Sequence, residues 1–519
     1  MFTPLGSENA GEVTHDRPPS QAMLRSGLSS ITLSVLSLIL GFASVPVMVT
    51  GLGYAGYGVY SLAFTIAGYG AFLDLGFGWA GMKFTADAHA QGDRDAVAGV
   101  LWALALYQAL IGVVVVVLLT AGADRLGAWL MMGAGDDAAR VAGVLPMAGL
   151  WFALSSLTGI FVGVLRGVHR FAAAAIVAGT ALLIGVGGGA LVVANGYGLQ
   201  AAARCQVFGA LIGVLVAAGA LRGFLLPAPR GRLISTSARQ LRHMLSFSLW
   251  TLVSRLVQVT VLQGDKVLAV RAAGAAGLAS YVVPFNAAQK LNFLGAAAVT
   301  AVYPVAAAGR RSGDEFRESY FRAARTVHLV TAAPSIAVLV LAPLFLHSWI
   351  GPDLAASGSG FLRALALGYW IVSVGSVEAG CLEGWGHPRI TALVAVAGLA
   401  VGGVVAAALA VTEGGLWAVA GGVATWMSVT GLGNAVAWHR VCGFPARRLW
   451  HEMLQPIGEM VVIGFVVGEV GRGWVVPGTG GLLACGALAG LLLAYGFFRI
   501  FPGGERKLLL SRVASLAGA

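Results

Sequence analysis

The sequence predicts an all-α polytopic membrane protein: fourteen transmembrane helices in two six-helix lobes arranged as a parallel repeat, followed by a C-terminal helix pair. Three observations predict it. The 519-residue chain is 58% hydrophobic and only 11% charged, more apolar surface than a soluble core of this size can hide. Apolar stretches close to the roughly 20 helical residues that cross a bilayer core of about 30 Å recur from Ser30 to Phe498. Successive loops alternate between basic and nearly free of Lys and Arg, as they must where cationic loops resist translocation.

The elements follow in order. Residues 1–27 form a polar cytoplasmic tail; Glu8, Glu12 and Asp16 set it apart from the basic start of a secretory signal. The N-lobe, residues 28–222, holds spans at Ser30 to Thr50, Val59 to Ala80, Ala98 to Thr120, Val141 to Gly163, Phe171 to Ala194 and Leu199 to Leu221. Residues 223–243 make a cytoplasmic linker, marked by Pro227, Pro229 and a run of Arg. The C-lobe, residues 244–440, repeats the plan at Met244 to Val270, Leu278 to Val305, Thr326 to Leu346, Phe361 to Trp385, Ile390 to Val411 and Leu416 to Trp438. The added pair, residues 441–500, spans Pro456 to Val475 and Gly480 to Phe498, the former interrupted or bordered by Glu459, Glu469 and Arg472; residues 501–519 are a second cytoplasmic tail.

Of the 33 Lys and Arg, 24 fall on one side of this plan, 5 on the other and 4 within spans, which puts both termini in the cytoplasm. The formal charge of +11 therefore belongs to loops facing anionic lipid headgroups, and nucleic acid is not an expected partner. Four scattered cysteines without a Cys-x-x-Cys pair or a His cluster imply neither a disulfide framework nor a metal site, and no cofactor motif is present. An internal repeat supports two lobes: Gly53, Ala55, Gly56 and Tyr60 recur 221 positions later as Gly274, Ala276, Gly277 and Tyr281. Both sets fall in the outer loop joining the first two helices of a six-helix group, and an even number of helices makes the repeat parallel.

Three stretches carry a resemblance: Gly51-Leu-Gly-Tyr-Ala-Gly-Tyr-Gly-Val-Tyr60, Phe72-Leu-Asp-Leu-Gly-Phe-Gly78, and Gly264-Asp-Lys-Val-Leu-Ala-Val-Arg271 leading to Gly277 and Tyr281. On these the chain resembles the polysaccharide and lipid-linked oligosaccharide flippases of the multidrug/oligosaccharidyl-lipid/polysaccharide exporter superfamily. The resemblance implies a two-lobed transporter of the bacterial inner membrane. Its cargo would be a glycan on a polyprenyl diphosphate, passed from the cytoplasmic to the outer leaflet by alternating access, with the lipid tail in a lateral gap between spans one and eight or two and seven. Membrane lipids and glycan polymerase or export machinery are the implied partners.

Charged side chains inside a bilayer are expensive and usually face protein or water. On span seven, Ser248, Thr251, Arg255, Gln258, Asp265 and Lys266 share a sector of about 100° on a helical wheel; on span eight, Asn286, Gln289 and Lys290 do the same. Counting inward along each span puts Arg255 and Lys290 near the midplane, at roughly 17 and 18 Å. Two cations there suit an anion: Arg255 and Lys290 would attract a diphosphate or acidic sugar, while Gln258, Asn286 and Gln289 bond sugar hydroxyls. Interhelical pairing with Asp265, Glu378 or Asp74 is the competing reading.

Asp265 and Lys266 fall near the outer surface, as cavity residues or as an interfacial pair with Lys266 snorkelling. Arg204 lies about 8 Å inside the outer end of span six, placed for anion hand-off or for snorkelling. Asp74, Asp265 and Glu378 are candidates for ion coupling, with a helix-end role favoured for Asp74. A polytopic glycan polymerase would need a catalytic cluster on a substantial outer loop, and the stretch from Ala121 to Arg140 offers only the adjacent Asp136 and Asp137. A multidrug or organic-cation antiporter would want acidic cavity walls, against Arg255 and Lys290. A scaffold for envelope assembly would need larger outer loops for partners to hold. The expected class is a transporter and not an enzyme.

Overall fold

The computed structural model describes residues 21–70, 72, 77–133, 135–225, 249–308, 313–444, 448, 451, 454–472 and 479–500; side chains of 21–35, 77–80, 83, 249–252, 255, 293–308, 313–315, 319, 471–472, 479 and 500 are outside the description. The described residues are helical throughout, without a strand, as a lipid-embedded backbone requires when no water satisfies its amides.

Two bent helices organise the molecule. Gln21–Gly68 bends at Gly53 (φ 71°, ψ 168°), and Leu249–Ala308 bends at Gly274 (φ 68°, ψ −173°). Positive φ is costly for a side-chain-bearing residue, so glycine marks both joints. The repeat read at a spacing of 221 thus has the same backbone conformation at its first residue in each copy. At the second joint the limbs lie side by side: the Tyr281 hydroxyl donates to Asp265 Oδ2 at 2.7 Å across the bend. The joint between spans is therefore one glycine, where a longer outer loop was expected. The two hairpins pack on each other, and Val59, Leu62, Ala63, Ala279, Tyr281 and Val282 are buried in one continuous core.

Eleven helices are long and apolar enough to cross a membrane among the described residues, against fourteen predicted spans. Both bent helices count once, although each carries two predicted spans. Gln455–Arg472 falls short because its 18 residues include Glu459, Glu469 and Arg472. The second predicted span is also discontinuous. Its helix stops at Gly68, turns through Tyr69 and Gly70, and resumes as Phe77–Ala90, ten residues beyond the predicted end at Ala80.

Arg94–Ala121 follows, its N-terminal amide of Ala96 capped by Asp93 at 2.8 Å. A short helix, Ala123–Leu130, then leads to Asp136–Gly167. Phe171–Leu182 and Gly188–Ala194 are joined through a π-helical turn at Leu183–Gly187, and Leu199–Ala220 completes the first half. In the second half, Gly313–Trp349, Pro352–Gly384, Pro388–Thr412 and Gly415–Cys442 surround the second hairpin. Gln455–Arg472 and Thr479–Ile500 pack against Gly313–Trp349, where Gly464 and Gly468 let the backbones approach Ile336 and Val340.

Candidate functional site

The second hairpin folds its polar residues inward from both limbs. Asp265 and Lys266 are buried at 3% and 7% exposure, which removes them from the outer surface where the sequence placed them. Counted from the Gly274 bend, Asp265 is nine residues in, roughly 13 Å at a helical rise. Lys266 Nζ donates to Asp265 Oδ1 at 3.1 Å and to the Leu262 carbonyl at 2.6 Å, and lies 4.0 Å from the centre of the Phe285 ring. With Tyr281 on its second oxygen, Asp265 is saturated, and the pair is electrically closed. The physical reason for the correction is the opposite limb: Tyr281 and Phe285 cover a pair that would otherwise snorkel.

A cavity of about 280 Å³ opens beside this pair, lined by Gln258, Val259, Leu262, Gln263 and Lys266 from one limb and Phe285, Asn286 and Gln289 from the other. Three predicted residues, Gln258, Asn286 and Gln289, are thus brought together. Gln263 is added, and Lys266 joins them through its stem. The lining face of the first limb is centred about 40° from the predicted sector, which excluded Gln263 and included Asp265 at its edge. Four carboxamides offer both donors and acceptors without net charge, the equipment for a hydroxyl-rich ligand.

Lys290 does not line this cavity. Its ammonium is half-buried against the first hairpin, where a Cβ on Gly41 would come within 3.4 Å of Nζ, and no carboxylate pairs with it among the described residues. Sixteen residues from the bend, it lies roughly 24 Å along its limb, beyond the midplane position expected. The Arg255 side chain and Asp74 lie outside the described residues, as do Ser248 and the Thr251 side chain. Arg204 is exposed on Leu199–Ala220, away from the cavity lining.

Glu378 is fully buried between Gly313–Trp349 and Pro352–Gly384, apart from the cavity. It accepts from the Tyr320 hydroxyl at 2.8 Å, and His328 Nε2 lies 3.6 Å from the same oxygen. The sequence reading offered Arg as its neutralising neighbour; the structure supplies Tyr320 and His328.

The wall facing the cavity is aromatic, and the sequence reading passed over it. Asn286 Nδ2 donates to the Tyr57 hydroxyl at 3.3 Å, and Gln206 Nε2 to the Tyr60 hydroxyl at 2.8 Å. Tyr60, Phe64 and Trp151 continue the wall at ring separations of 4.8 and 5.1 Å. Spacing of Tyr57, Phe64 and Gly68 on one helical face was the available signal.

At the bent ends the halves touch. A Cβ on Gly58 would sit 1.9 Å from the Ala275 carbonyl oxygen, so the backbones are in direct contact. Arg271 Nη1 donates to the Trp129 carbonyl at 2.6 Å, its guanidinium 4.8 Å from that ring. Trp349 Nε1 donates to the Phe42 carbonyl at 3.0 Å.

Comparison with known proteins places this architecture. The Shigella flexneri protein named "Putative O-antigen transporter" is 21% identical over 359 residues, 69% of this chain and 83% of the relative. The lipid II flippase MurJ in an inward closed conformation superposes with a TM-score of 0.61, 12% identity, 90% of this chain and 98% of that one. An inward-facing multidrug resistance MATE family transporter of the MOP superfamily gives 0.58, 17% identity, 81% of this chain and 98% of that one. The fold is that of these transporters. The family model described as "Polysaccharide biosynthesis protein" matches residues 23–309, more than half the sequence and both hairpins together, and the chain belongs to that family.

Proposed function

We propose that this chain is a flippase that moves a glycan carried on a polyprenyl diphosphate across a bacterial inner membrane, from the cytoplasmic to the outer leaflet. Two lobes, residues 28–222 and 244–440, rock about the cavity by alternating access, and both termini remain cytoplasmic. The observation that carries this reading is the difference between the two lysines of the second hairpin. Lys266 is neutralised by Asp265, whereas Lys290 stands half-buried without a carboxylate among the described residues. A lone cation within the membrane calls for an anion from outside the protein, and a diphosphate supplies one.

The kinship with the Shigella flexneri relative and the fold shared with a lipid II flippase support the same cargo class. A cationic drug would need a free acidic wall, and Asp265 is already engaged by Lys266 and Tyr281. Arg255 is assigned beside Lys290 as the second anion-binding cation, with Gln258, Asn286 and Gln289 on the sugar hydroxyls and Arg204 at hand-off; Asp74, Asp265 and Glu378 remain the ion-coupling candidates.

The test is Lys290→Gln and Arg255→Gln, with glycan export measured in cells at matched protein levels. Both variants should export less and accumulate lipid-linked repeat units on the inner leaflet. Undiminished export by both discards the reading.

A further inference from the structure

The first hairpin carries an aromatic surface that no charge-based account of the cargo uses. Tyr57, Phe64 and Gly68 fall within about 40° on one face of their limb. Both ends of that face touch residues that line the cavity. Tyr57 accepts from Asn286, and a Cβ on Gly68 would lie 3.0 Å from the Gln263 amide nitrogen. Phe64, between them, is directed at the same space. Its ring stands edge-on to Trp151 at 5.1 Å and next to Tyr60 at 4.8 Å, and all three rings are only partly buried although they pack against the central core. Gln206 holds the Tyr60 hydroxyl at 2.8 Å and so fixes the ring.

A pyranose ring has two kinds of surface, an edge of hydroxyls and a face of C–H groups. Planar amides satisfy the edge, and aromatic rings cover the face with directional, low-entropy contacts. The cavity presents both: Gln258, Gln263, Asn286 and Gln289 on the second hairpin, and Phe64 with Trp151 on the other side. Lys290 is turned elsewhere, towards Gly41 on the other limb of the first hairpin.

We propose that Phe64 and Trp151 form a stacking platform for neutral sugar rings, separate from the diphosphate-binding Lys290, so that the cargo is read by sugar face as well as by charge. This rests on the flippase reading, and the experiment separates the two. Full-length protein in lipid nanodiscs is titrated with two probes, a short polyprenyl diphosphate carrying a neutral disaccharide and the same lipid without sugar. The wild-type chain should bind the glycosylated probe about tenfold tighter, the factor that roughly 1.4 kcal/mol of contact provides. Phe64→Leu and Trp151→Leu should erase that preference while leaving affinity for the bare lipid unchanged, which also shows that the variants are folded. Lys290→Gln should weaken both probes alike. Wild-type protein that binds both probes equally overturns the platform and spares the flippase reading, as do variants that keep the preference or lose both probes in proportion. Wild-type protein that binds neither overturns both.

Discussion

Gly58→Ala should loosen the seal between the two hairpins. The added methyl carbon would lie 1.9 Å from the Ala275 carbonyl oxygen and 2.8 Å from its carbonyl carbon. Ordinary contact begins near 3.4 Å, so the hairpins must part by about 1.5 Å at their bent ends. The obstacle is backbone, which cannot rotate aside as a side chain would. Overpacking of this kind costs about 1–3 kcal/mol, and at 1.4 kcal/mol per decade the open-to-closed ratio rises by roughly one to two orders of magnitude. The assay is labelling of Gln289→Cys by a membrane-impermeant maleimide applied on the side of the bends, in a chain whose Cys205, Cys381, Cys442 and Cys485 are replaced by Ser. Labelling should accelerate by a factor in that range, and export should fall because the cavity no longer closes. Gly403→Ala, where an added Cβ meets nothing within 4 Å, is the control. An unchanged labelling rate in a folded Gly58→Ala protein refutes the seal.

Arg271→Ala removes a charged hydrogen bond to the Trp129 carbonyl and a cation–π contact, worth roughly 1.5–3 and 0.5–1 kcal/mol before solvent exposure is discounted; it should increase the same labelling less than Gly58→Ala does, and unchanged labelling assigns Arg271 no part in closure. Asp265→Asn leaves Lys266 charged and uncompensated in a buried site, at a cost of about 3–5 kcal/mol, and should lower the midpoint of thermal unfolding in detergent; adding Lys266→Met should recover part of the loss, and failure of the double variant to improve on the single one denies the pairing. Gly274→Ala forces a side chain to φ 68° at about 1–2 kcal/mol and should be less stable than wild type by the same measure, whereas a neutral result contradicts the bend.

Much of the fold was legible because membranes write it plainly: apolar runs of helical length, alternating loop charge, and glycines repeated at 221. What the sequence concealed were the ends of elements. A single glycine with positive φ reverses the chain at Gly274, so the limb continues past Val270, and every depth counted from a predicted terminus shifted with it. Asp265 and Lys266 moved from surface to interior for this reason. Their burial also depends on Tyr281 and Phe285, one limb away, which no local periodicity reports. The carboxamides were found because polar residues inside an apolar run are conspicuous. Phe64 and Trp151 were missed because an aromatic residue in such a run looks like core until the opposite wall is known.

The positions of the two lysines bear on the order of events. If the bends face outward, as the loop charges require, Lys290 lies roughly 24 Å from the outer end of a core about 30 Å thick, nearer the cytoplasmic entrance than the midplane. Lys266, higher on the facing limb, has spent its charge on Asp265 and offers the cavity only its stem and a covered ammonium. A diphosphate arriving from the cytoplasm therefore meets an uncompensated cation first and no stronger electrostatic trap deeper in. That gradient suits release, because a second unpaired cation near the exit would hold the anion where it must be let go. Capture by charge at the entrance and recognition by uncharged amides above it make a path the cargo can leave, and they locate the discrimination among glycans in the amide and aromatic walls, away from the phosphate contact.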